Sequence, residues 1–405
     1  MTTRDLDVVL FGASGFVGRL TAAHLAAHAP AGTRIALAGR SRDRLAAVAA
    51  DLGPVAADWP LLVADAADPA SLRDLAESTR VVVSTVGPYL RHGLPLVEAC
   101  ARAGTHYADL TGEVLFVRRS IDAAQDAARE SGARIVHSCG FDSVPSDLAV
   151  LLAHAWAQQN SAGPLGSATL EVLSARGGFS GGTVDSLRLQ LDTARRDEQA
   201  RRLVRDPYAL SPDRAGEPDL GRQSDAFRPH RRAETGDWVA PFVMASYNTR
   251  VVRRSNALLG HAYGQRLRYA EVMAFSGRTA ALQAAAVTGV LAGVTGLLAV
   301  DPLRPLVDRL LPSPGTGPSE RTRRTGHFRL RLDARTESGR RTTVTVAAQG
   351  DPGYAATAVM LGESALALAL DEGLPDRAGV LTPATGIGVP LAERLRRKGF
   401  TLQVT

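Results

Sequence analysis

The stretch VVLFGASGFVG at residues 8–18 decides the fold of this chain. Four apolar residues lead into Gly12, and glycine recurs at every third position, at Gly15 and Gly18. A helical pattern of apolar residues follows, and a second apolar run occupies residues 35–38. This order predicts a strand, a glycine turn, a helix and a second strand, the unit that opens a parallel nucleotide-binding sheet.

The three glycines have separate mechanical roles in such a turn. Gly12 permits the tight turn after the strand, Gly15 lets the backbone approach a pyrophosphate, and Gly18 lets the helix pack closely on the sheet. The helix N-terminus offers free N–H groups to the phosphates. A turn that binds nothing is the structural alternative, which the flanking patterns disfavour. The residues predicted to hold the phosphates are Gly12, Ser14, Gly15, Phe16, Val17 and Gly18.

The end of the second strand selects the cofactor. NAD-binding units place an acidic residue about 20 residues after the glycines, on the ribose 2′-hydroxyl. This chain has Arg40 and Ser41 there instead. A guanidinium forms bidentate hydrogen bonds with a phosphate, whereas a carboxylate repels it. We therefore predict NADP(H) as the cofactor; the alternative is that Arg40 is one more surface arginine.

The composition is that of a soluble globular protein large enough for two domains. Of the 405 residues, 45% are hydrophobic and 22% are charged. The net charge of +6 is scattered and aromatic residues make up only 5%, so no nucleic-acid partner is predicted. Two cysteines without a CxxC motif predict no disulfide and no metal site. The N-terminus lacks the apolar core of a signal peptide, which favours the cytoplasm.

The predicted fold class is α/β, with a Rossmann-type doubly wound parallel sheet and a second α+β domain whose sheet is mainly antiparallel. The NADP-binding domain is predicted over residues 1–147, the second domain over residues 148–375, and a C-terminal return to the first domain over residues 376–405. Residues 327–332 and 342–348 alternate polar and apolar side chains around a turn, which predicts a hairpin.

Polar residues follow the predicted strands of the first domain at the edge where ligands bind in open α/β sheets. Asp65 ends the third strand and is predicted to lie near the adenine. Thr85 and Gly87 follow the fourth strand and are predicted to lie beside the nicotinamide half of the cofactor.

Catalysis on a carbonyl or an alkene needs an acid and a polarising group. Polar side chains near the later strand ends could supply both, and a structural hydrogen bond at a domain junction is the alternative for each of them. The preferred catalytic residues are Tyr107, Asp109 and Tyr89, and the further candidates are His106, Asp142 and Ser143.

Two segments depart from the regular pattern. Residues 279–300 contain no charged residue over 22 positions, a length that could span a bilayer. Because they lie alone inside a domain, we predict a buried or interfacial helix. Residues 205–237 are rich in Pro, Arg, Asp and Gly and are predicted to form a long surface loop or lid.

The single lysine excludes one kind of catalysis and argues against a second. Lys398 is the only lysine, and the position four residues earlier is Arg394, so the Tyr-x-x-x-Lys pair of short-chain dehydrogenases is missing. Schiff-base chemistry is disfavoured because Lys398 lies in a charged tail helix. The chain also lacks Walker A, HExxH and GxSxG motifs. Hydride transfer by a bound cofactor remains.

Several motifs in combination resemble the saccharopine dehydrogenase-like oxidoreductase family, and most closely its trans-acting enoyl reductase branch. They are GASGFVG at 12–18, AGR at 38–40, STVGPY at 84–89, YADLTGE at 107–113, GFDSVPSD at 140–147, DPGYAATAVMLGESALALA at 351–369 and GVLTPA at 379–384. The resemblance implies a Rossmann domain, NADP, and the reduction of a double bond in a polyketide or lipid acyl chain carried by a synthase.

The same resemblance sets further expectations. Related animal proteins associate with lipid droplets or membranes, which implies a peripheral membrane contact for residues 279–300, at the plasma membrane. A homodimer is also expected. Two alternatives stay open: a saccharopine dehydrogenase-like enzyme of amino-acid metabolism, and a non-catalytic NADP-binding scaffold at a membrane.

Overall fold

The computed structural model describes residues 4–177, 181–221, 223, 228–298 and 317–405. Fourteen strands within these residues form two seven-stranded sheets. In chain order they are β1 (Leu6–Phe11), β2 (Ile35–Gly39), β3 (Leu61–Val63), β4 (Thr79–Ser84), β5 (His106–Asp109), β6 (Arg134–Val136), β7 (Leu165–Arg176), β8 (His230–Arg231), β9 (Trp238–Pro241), β10 (Arg268–Phe275), β11 (His327–Thr336), β12 (Arg341–Gln349), β13 (Gly379–Leu381) and β14 (Thr401–Val404).

Helices connect and cover these strands. Two single turns of other helix types stand beside them, a 3-10 turn at Pro54–Ala56 and a π-turn at Pro352–Ala356. The α-helices of the described residues are α1 (Phe16–His28), α2 (Arg42–Leu52), α3 (Pro69–Glu77), α4 (Tyr89–His92), α5 (Leu94–Ala103), α6 (Val114–Ser131), α7 (Val144–Gln159), α8 (Gly181–Arg196), α9 (Glu198–Arg205), α10 (Ala245–Leu258), α11 (Ala280–Leu298), α12 (Glu320–Thr325), α13 (Thr357–Leu370), α14 (Pro383–Gly386) and α15 (Val389–Arg397).

The first sheet is parallel throughout, in the order β13-β6-β5-β4-β1-β2-β3. Strand β1, between β4 and β2, is buried on both faces, with Val8 and Leu10 in one core and Val9 and Phe11 in the other. The sequence of such a strand is a continuous apolar run because helices cover both faces of the sheet. The strand order is that of a doubly wound nucleotide-binding sheet, so the predicted Rossmann-type fold is confirmed.

The second sheet has the order β14-β12-β11-β7-β10-β9-β8. Among the described strands only β7 and β10 pair in parallel, and the other neighbours are antiparallel. Strands β11 and β12 form the predicted hairpin, with His327 opposite Gln349 and Arg335 opposite Arg341. The prediction of a second, mainly antiparallel sheet is confirmed.

The last part of the chain contributes to both sheets. Strand β13 pairs with β6 in the first sheet, whereas β14 pairs with β12 in the second. Helix α13 packs against α1, and its Glu363 lies 2.9 Å from Nε2 of His24 on α1. Arg394 of α15 donates to the same carboxylate at 3.1 Å. The helix that follows the glycine turn is therefore held by buried polar contacts from the C-terminal third of the chain.

Part of the segment predicted as a surface loop is packed inside the molecule. Tyr208, Ala209 and Leu210 are buried. The fully buried Arg254 of α10 donates to the carbonyl oxygens of Leu210 and Val380, and burial lowers its pKa to about 9. The surface-loop prediction is wrong for this part, because arginine side chains satisfy the buried carbonyl groups. Residues 222 and 224–227 of the segment lie outside the described residues.

The charge-free segment forms helix α11, of which only the first turns are packed. Ala280 and Ala284 are buried where the helix meets β9 and β10. Leu282 is 72% exposed and Val290 is 65% exposed. The helix is therefore not a core helix, and residues 299–300 lie outside the described residues. Among the described residues, the helix that is long and apolar enough to cross a membrane is instead Pro352–Leu370, which is mostly buried in the protein.

Candidate functional site

In the turn between β1 and α1, neighbouring atoms pack very closely against two glycines. Gly12 has a φ of +89°, and a Cβ atom there would lie 2.6 Å from Oγ1 of Thr85. A Cβ atom at Gly18 would lie 2.2 Å from the carbonyl oxygen of Gly12. Because no side chain fits at either position, the turn forms only with glycine at both.

The same turn exposes a set of hydrogen-bond donors. The N–H of Gly15 donates to the carbonyl of Gly12 at 2.9 Å. Helix α1 starts at Phe16, and the first N–H groups of a helix have no acceptor within the helix. Among the described residues, none accepts from the N–H of Phe16 or Val17. These donors and the positive end of the helix dipole suit a pyrophosphate. The turn residues open to solvent are Gly12, Ser14, Gly15, Phe16 and Val17.

The positive charge predicted for the 2′-phosphate lies at the end of β2. Arg40 is exposed, and Ser41 caps α2 by accepting a backbone N–H at 3.4 Å. Partial burial lowers the pKa of His92, and the nearby guanidinium groups of Arg91 and Arg40 lower it further, whereas the carboxylate of Asp65 acts in the opposite direction. Arg40, Arg91 and His92 thus share one region of the surface, where a doubly charged phosphate would be stabilised.

Thr85 and Gly87 lie at the end of β4, next to the glycine turn. The hydroxyl of Thr85 donates to the carbonyl of Gly12 at 3.1 Å and to that of Phe11 at 3.3 Å. Gly87 is exposed. Thr85 therefore ties the end of β4 to the end of β1, and the two residues border the crevice outside the strand ends.

Asp109 is fully buried in a chain of polar side chains at the ends of β5 and β6. Its Oδ2 lies 2.7 Å from Nδ1 of His137, and Nε2 of His137 lies 2.7 Å from Oγ of Ser120. Its Oδ1 accepts from the N–H groups of Thr111 and Ser138 at 3.0 Å each. The carboxylate thereby fixes the two strand-end turns relative to each other, which is a positioning role.

A hydrogen bond from the second domain joins this polar chain. Ser138 has a φ of +67°, a conformation that is uncommon for serine and concentrates at functional sites. Its hydroxyl is hydrogen-bonded to the phenol of Tyr247 on α10. Burial raises the pKa of Tyr247 well above its usual value, so the phenol stays protonated. The contact places a second-domain hydroxyl directly at the strand ends of the first sheet.

The two predicted catalytic tyrosines lie beneath this edge. Tyr89 donates to the carbonyl of Ser84 at 2.9 Å and accepts from the N–H of Leu110 at 3.3 Å. Tyr107 is fully buried, and its hydroxyl has no hydrogen-bond partner in the described part of the chain although Ser84 lies close. Burial raises the pKa of both phenols. Neither hydroxyl meets solvent in this conformation, and their catalytic roles stay predictions.

Helix α8 of the second domain closes one side of the crevice. Ser186 donates to the buried carboxylate of Glu113, which also accepts from the N–H of Tyr89 at 3.0 Å. Gln190 donates to the carbonyl of Gly112 at 3.3 Å. The second domain is therefore hydrogen-bonded to the turns after β4 and β5, where the nicotinamide end of the cofactor is predicted.

Asp142 differs from the other candidates because the residue is half-buried and its carboxylate has no partner in the described part of the chain. It follows β6 in the turn before α7 and makes no hydrogen bond or ion pair within the described residues. Burial alone raises its pKa to about 6. A carboxyl group with that pKa can gain or lose a proton near neutral pH. By contrast, Ser143 donates to Asn248 at 3.0 Å, and Nδ1 of His106 accepts from the N–H of Arg134 at 3.1 Å.

Sequence patterns predicted no role for His137, Ser120 or Tyr247. His137 follows a strand at the same edge as Asp109, so the strand-end rule could have found it. Ser120 and Tyr247 lie inside helices, where no local signal marks them. In the described residues, His, Cys, Asp and Glu side chains form no group of three that could hold a metal ion.

The comparisons with known proteins agree with this geometry. The model of the saccharopine dehydrogenase NADP-binding domain matches residues 8–136. A putative trans-acting enoyl reductase of Mycobacterium tuberculosis is 51% identical, over 100% of this chain and 98% of that protein. The chain belongs to the trans-acting enoyl reductase family. A second member, the trans-acting enoyl reductase of Mycobacterium bovis, is 49% identical over 99% of this chain and 98% of its own length.

A solved structure extends the likeness to the whole fold. Apo saccharopine dehydrogenase (L-Glu forming) of Saccharomyces cerevisiae superposes with a TM-score of 0.58, covering 98% of this chain and 99% of that one, at 14% identity. At that identity the likeness shows the fold alone. As a trans-acting enoyl reductase family member, the protein is an NADP-dependent oxidoreductase with NADP(H) as its cofactor.

The position of Arg40 predicts the cofactor preference of this enzyme. In the Arg40→Asp variant, NADPH affinity should fall by at least ~10-fold, because a charge-assisted contact is replaced by repulsion. NADH affinity should not fall, since NADH carries no 2′-phosphate. Fluorescence titration with both cofactors measures the ratio, and Arg44→Asp on the exposed face of α2 is the matched control. Equal NADPH affinities in the two variants would contradict the assignment.

Proposed function

We propose that this protein uses NADPH to reduce a carbon–carbon double bond in a polyketide or lipid acyl chain carried by a synthase. The observation that carries the proposal is the glycine cradle with Arg40 at its end, in a chain about half identical over its full length to trans-acting enoyl reductases. When bound, NADPH supplies the hydride. The protein then has to present the acyl chain to the strand-end edge of the first sheet and manage one proton.

Asp142 is the side chain that we propose for the proton. Asp142 follows β6 at that edge, is half-buried, and its carboxyl group makes no hydrogen bond or ion pair with the described part of the chain. With a pKa of about 6, it carries a proton in a useful fraction of molecules near neutral pH, as a general acid requires. Asp109 and His137 would position the turn that carries it. Tyr107 and Tyr89 stay as predicted catalytic residues whose hydroxyls would have to become accessible.

The proposed reaction has a direct test. NADPH oxidation should follow the addition of an enoyl thioester, and the Gly15→Asp variant should abolish it because a carboxylate would stand where the pyrophosphate binds. Absorbance at the nicotinamide band measures the rate. An amino-acid and keto-acid panel covers the saccharopine-like alternative. Tight NADPH binding without turnover on any acyl or amino-acid substrate would favour the non-catalytic scaffold.

Asp142 predicts the sign of the pH dependence. The acid form is needed and its pKa lies at about 6, so kcat should be constant below that pH and fall roughly tenfold per pH unit above it. Asp142→Asn should lower kcat by about 100-fold and remove this pH dependence. Asp126→Asn, on the exposed face of α6, is the control. If Asp142→Asn kept the wild-type pH dependence of kcat and Tyr107→Phe lost activity, the proton donor would be Tyr107 instead.

We also propose that helix α11 makes a peripheral contact with a membrane, at the plasma membrane of a cytoplasmic protein. The helix is free of charge along Ala280–Leu298, and its exposed residues include Leu282 and Val290. A helix that is apolar all round suits an apolar surrounding better than a one-sided protein contact. Such a contact would place the enzyme near a lipid or polyketide chain. The expected homodimer stays a prediction.

Vesicle binding tests the membrane contact. The protein should float with phosphatidylglycerol vesicles, and the double variant Leu282→Glu with Val290→Glu should bind at least ~10-fold more weakly, because each glutamate opposes transfer into the apolar layer. Val55→Glu, at another exposed valine, is the control, and NADPH affinity should be unchanged in both variants. Wild-type protein that stays soluble at every lipid concentration would reject the contact.

A further inference from the structure

Phe16, the first residue of α1, is surrounded by groups from the far end of the chain. Its ring meets the ring of Tyr354 edge-on, with centroids 4.8 Å apart. The guanidinium carbon of Arg323 lies 5.3 Å from the centroid of the same ring. The backbone of Gly317 is so close that a Cβ atom there would lie 2.2 Å from the Phe16 ring. A second-domain segment therefore rests on the glycine turn of the first domain.

This segment is held in place by its own hydrogen bonds. The N–H of Asp351 donates to the carbonyl of Arg323 at 2.9 Å, and the N–H of Gly350 donates to the carbonyl of Gly326 at 2.8 Å. The buried carboxylate of Asp351 accepts from the N–H groups of Tyr354 and Ala355, each at 3.1 Å. Arg323 and Tyr354 thus belong to one fixed junction beside the cofactor turn.

Arg323 stands out among the arginines of its helix. It is half-buried, whereas Arg321 and Arg324 are exposed. Its side chain makes one hydrogen bond, from Nη1 to the carbonyl of Pro318 at 3.3 Å, and no carboxylate in the described residues forms an ion pair with it. Most of its donors are left for another acceptor, in a fork that matches phosphate oxygens.

Two positive groups converge at this point. The first N–H groups of α1 and the positive end of its dipole lie at Phe16, and the Arg323 side chain is stacked against the same residue. The nearby carboxylate of Asp351 interacts electrostatically with Arg323, but it accepts hydrogen bonds from the backbone N–H groups of Tyr354 and Ala355 and not from the guanidinium. An anion between Arg323 and the start of α1 would be stabilised by both positive groups. The pyrophosphate of the dinucleotide is the anion that the glycine turn is built to receive.

We propose that Arg323 binds the pyrophosphate of NADP(H), so that both halves of the chain complete the cofactor site. Arg40 then binds the 2′-phosphate, which only NADP(H) carries. Arg323 binds the pyrophosphate, which NADPH and NADH share. The inference concerns cofactor binding in the absence of substrate and is independent of which acyl chain is reduced.

Equilibrium titration of the full chain with NADPH, NADH and 2′-AMP tests these separate roles of Arg40 and Arg323. Arg323→Gln should weaken NADPH and NADH binding by about 10-fold each, because one charge-assisted contact is lost in both. It should leave the affinity for 2′-AMP unchanged, since that ligand has the 2′-phosphate but no pyrophosphate. Arg40→Gln should weaken NADPH and 2′-AMP and leave NADH unchanged. Arg324→Gln, on the same helix, is the matched control.

The outcomes separate the roles. NADPH affinity in Arg323→Gln equal to that in Arg324→Gln would overturn the proposal, as would a matching loss of 2′-AMP binding. Thermal unfolding of the cofactor-free variants checks the fold, and Arg323→Lys, which keeps the charge but not the fork, should give an intermediate NADPH affinity. An Arg323→Lys variant as weak as Arg323→Gln with a lowered unfolding temperature would assign Arg323 to structure instead.

Discussion

The close approach of helix α1 to strand β1 is the constraint on which the cofactor site depends. The carbonyl oxygen of Gly12 occupies the space that a Cβ atom at Gly18 would need, and Thr85 occupies the space beside Gly12. This packing fixes where α1 begins and therefore where its free N–H groups lie. Because the anion site is made of backbone, its geometry is set by the absence of side chains at two positions.

The position of α1 also depends on the other end of the chain. Glu363 of α13 is buried against His24 of α1 and is shared with Arg394 of α15. Removing one partner of a buried charged group leaves the other without compensation, which is costly. In addition, β13 belongs to the first sheet and β14 to the second. The cofactor domain is thus not an independent unit that could move freely against the rest of the molecule.

The candidate site was predictable where one strand or one turn determines it. The glycine turn, Arg40 and Thr85 follow from local patterns, since residues at the ends of parallel strands share one edge. The burial of each candidate side chain was not predictable in the same way. Tyr107 and Asp109 lie two residues apart on β5, and both are fully buried, yet the half-buried Asp142 lies in the next strand-end turn. Burial depends on what packs above each turn, which here is supplied by α8 and α10.

The sequence by itself determined the parallel sheet, the cofactor and the hairpin of the second sheet, because periodicity and glycine spacing act over a few neighbouring residues. Only the tertiary structure decided that a segment rich in Pro and Arg is packed beneath α10, that an apolar helix stands exposed, and that Arg323 reaches Phe16 across more than three hundred residues. Contacts of that sequence separation leave no local pattern, since each partner is compatible with many environments until the chain has folded.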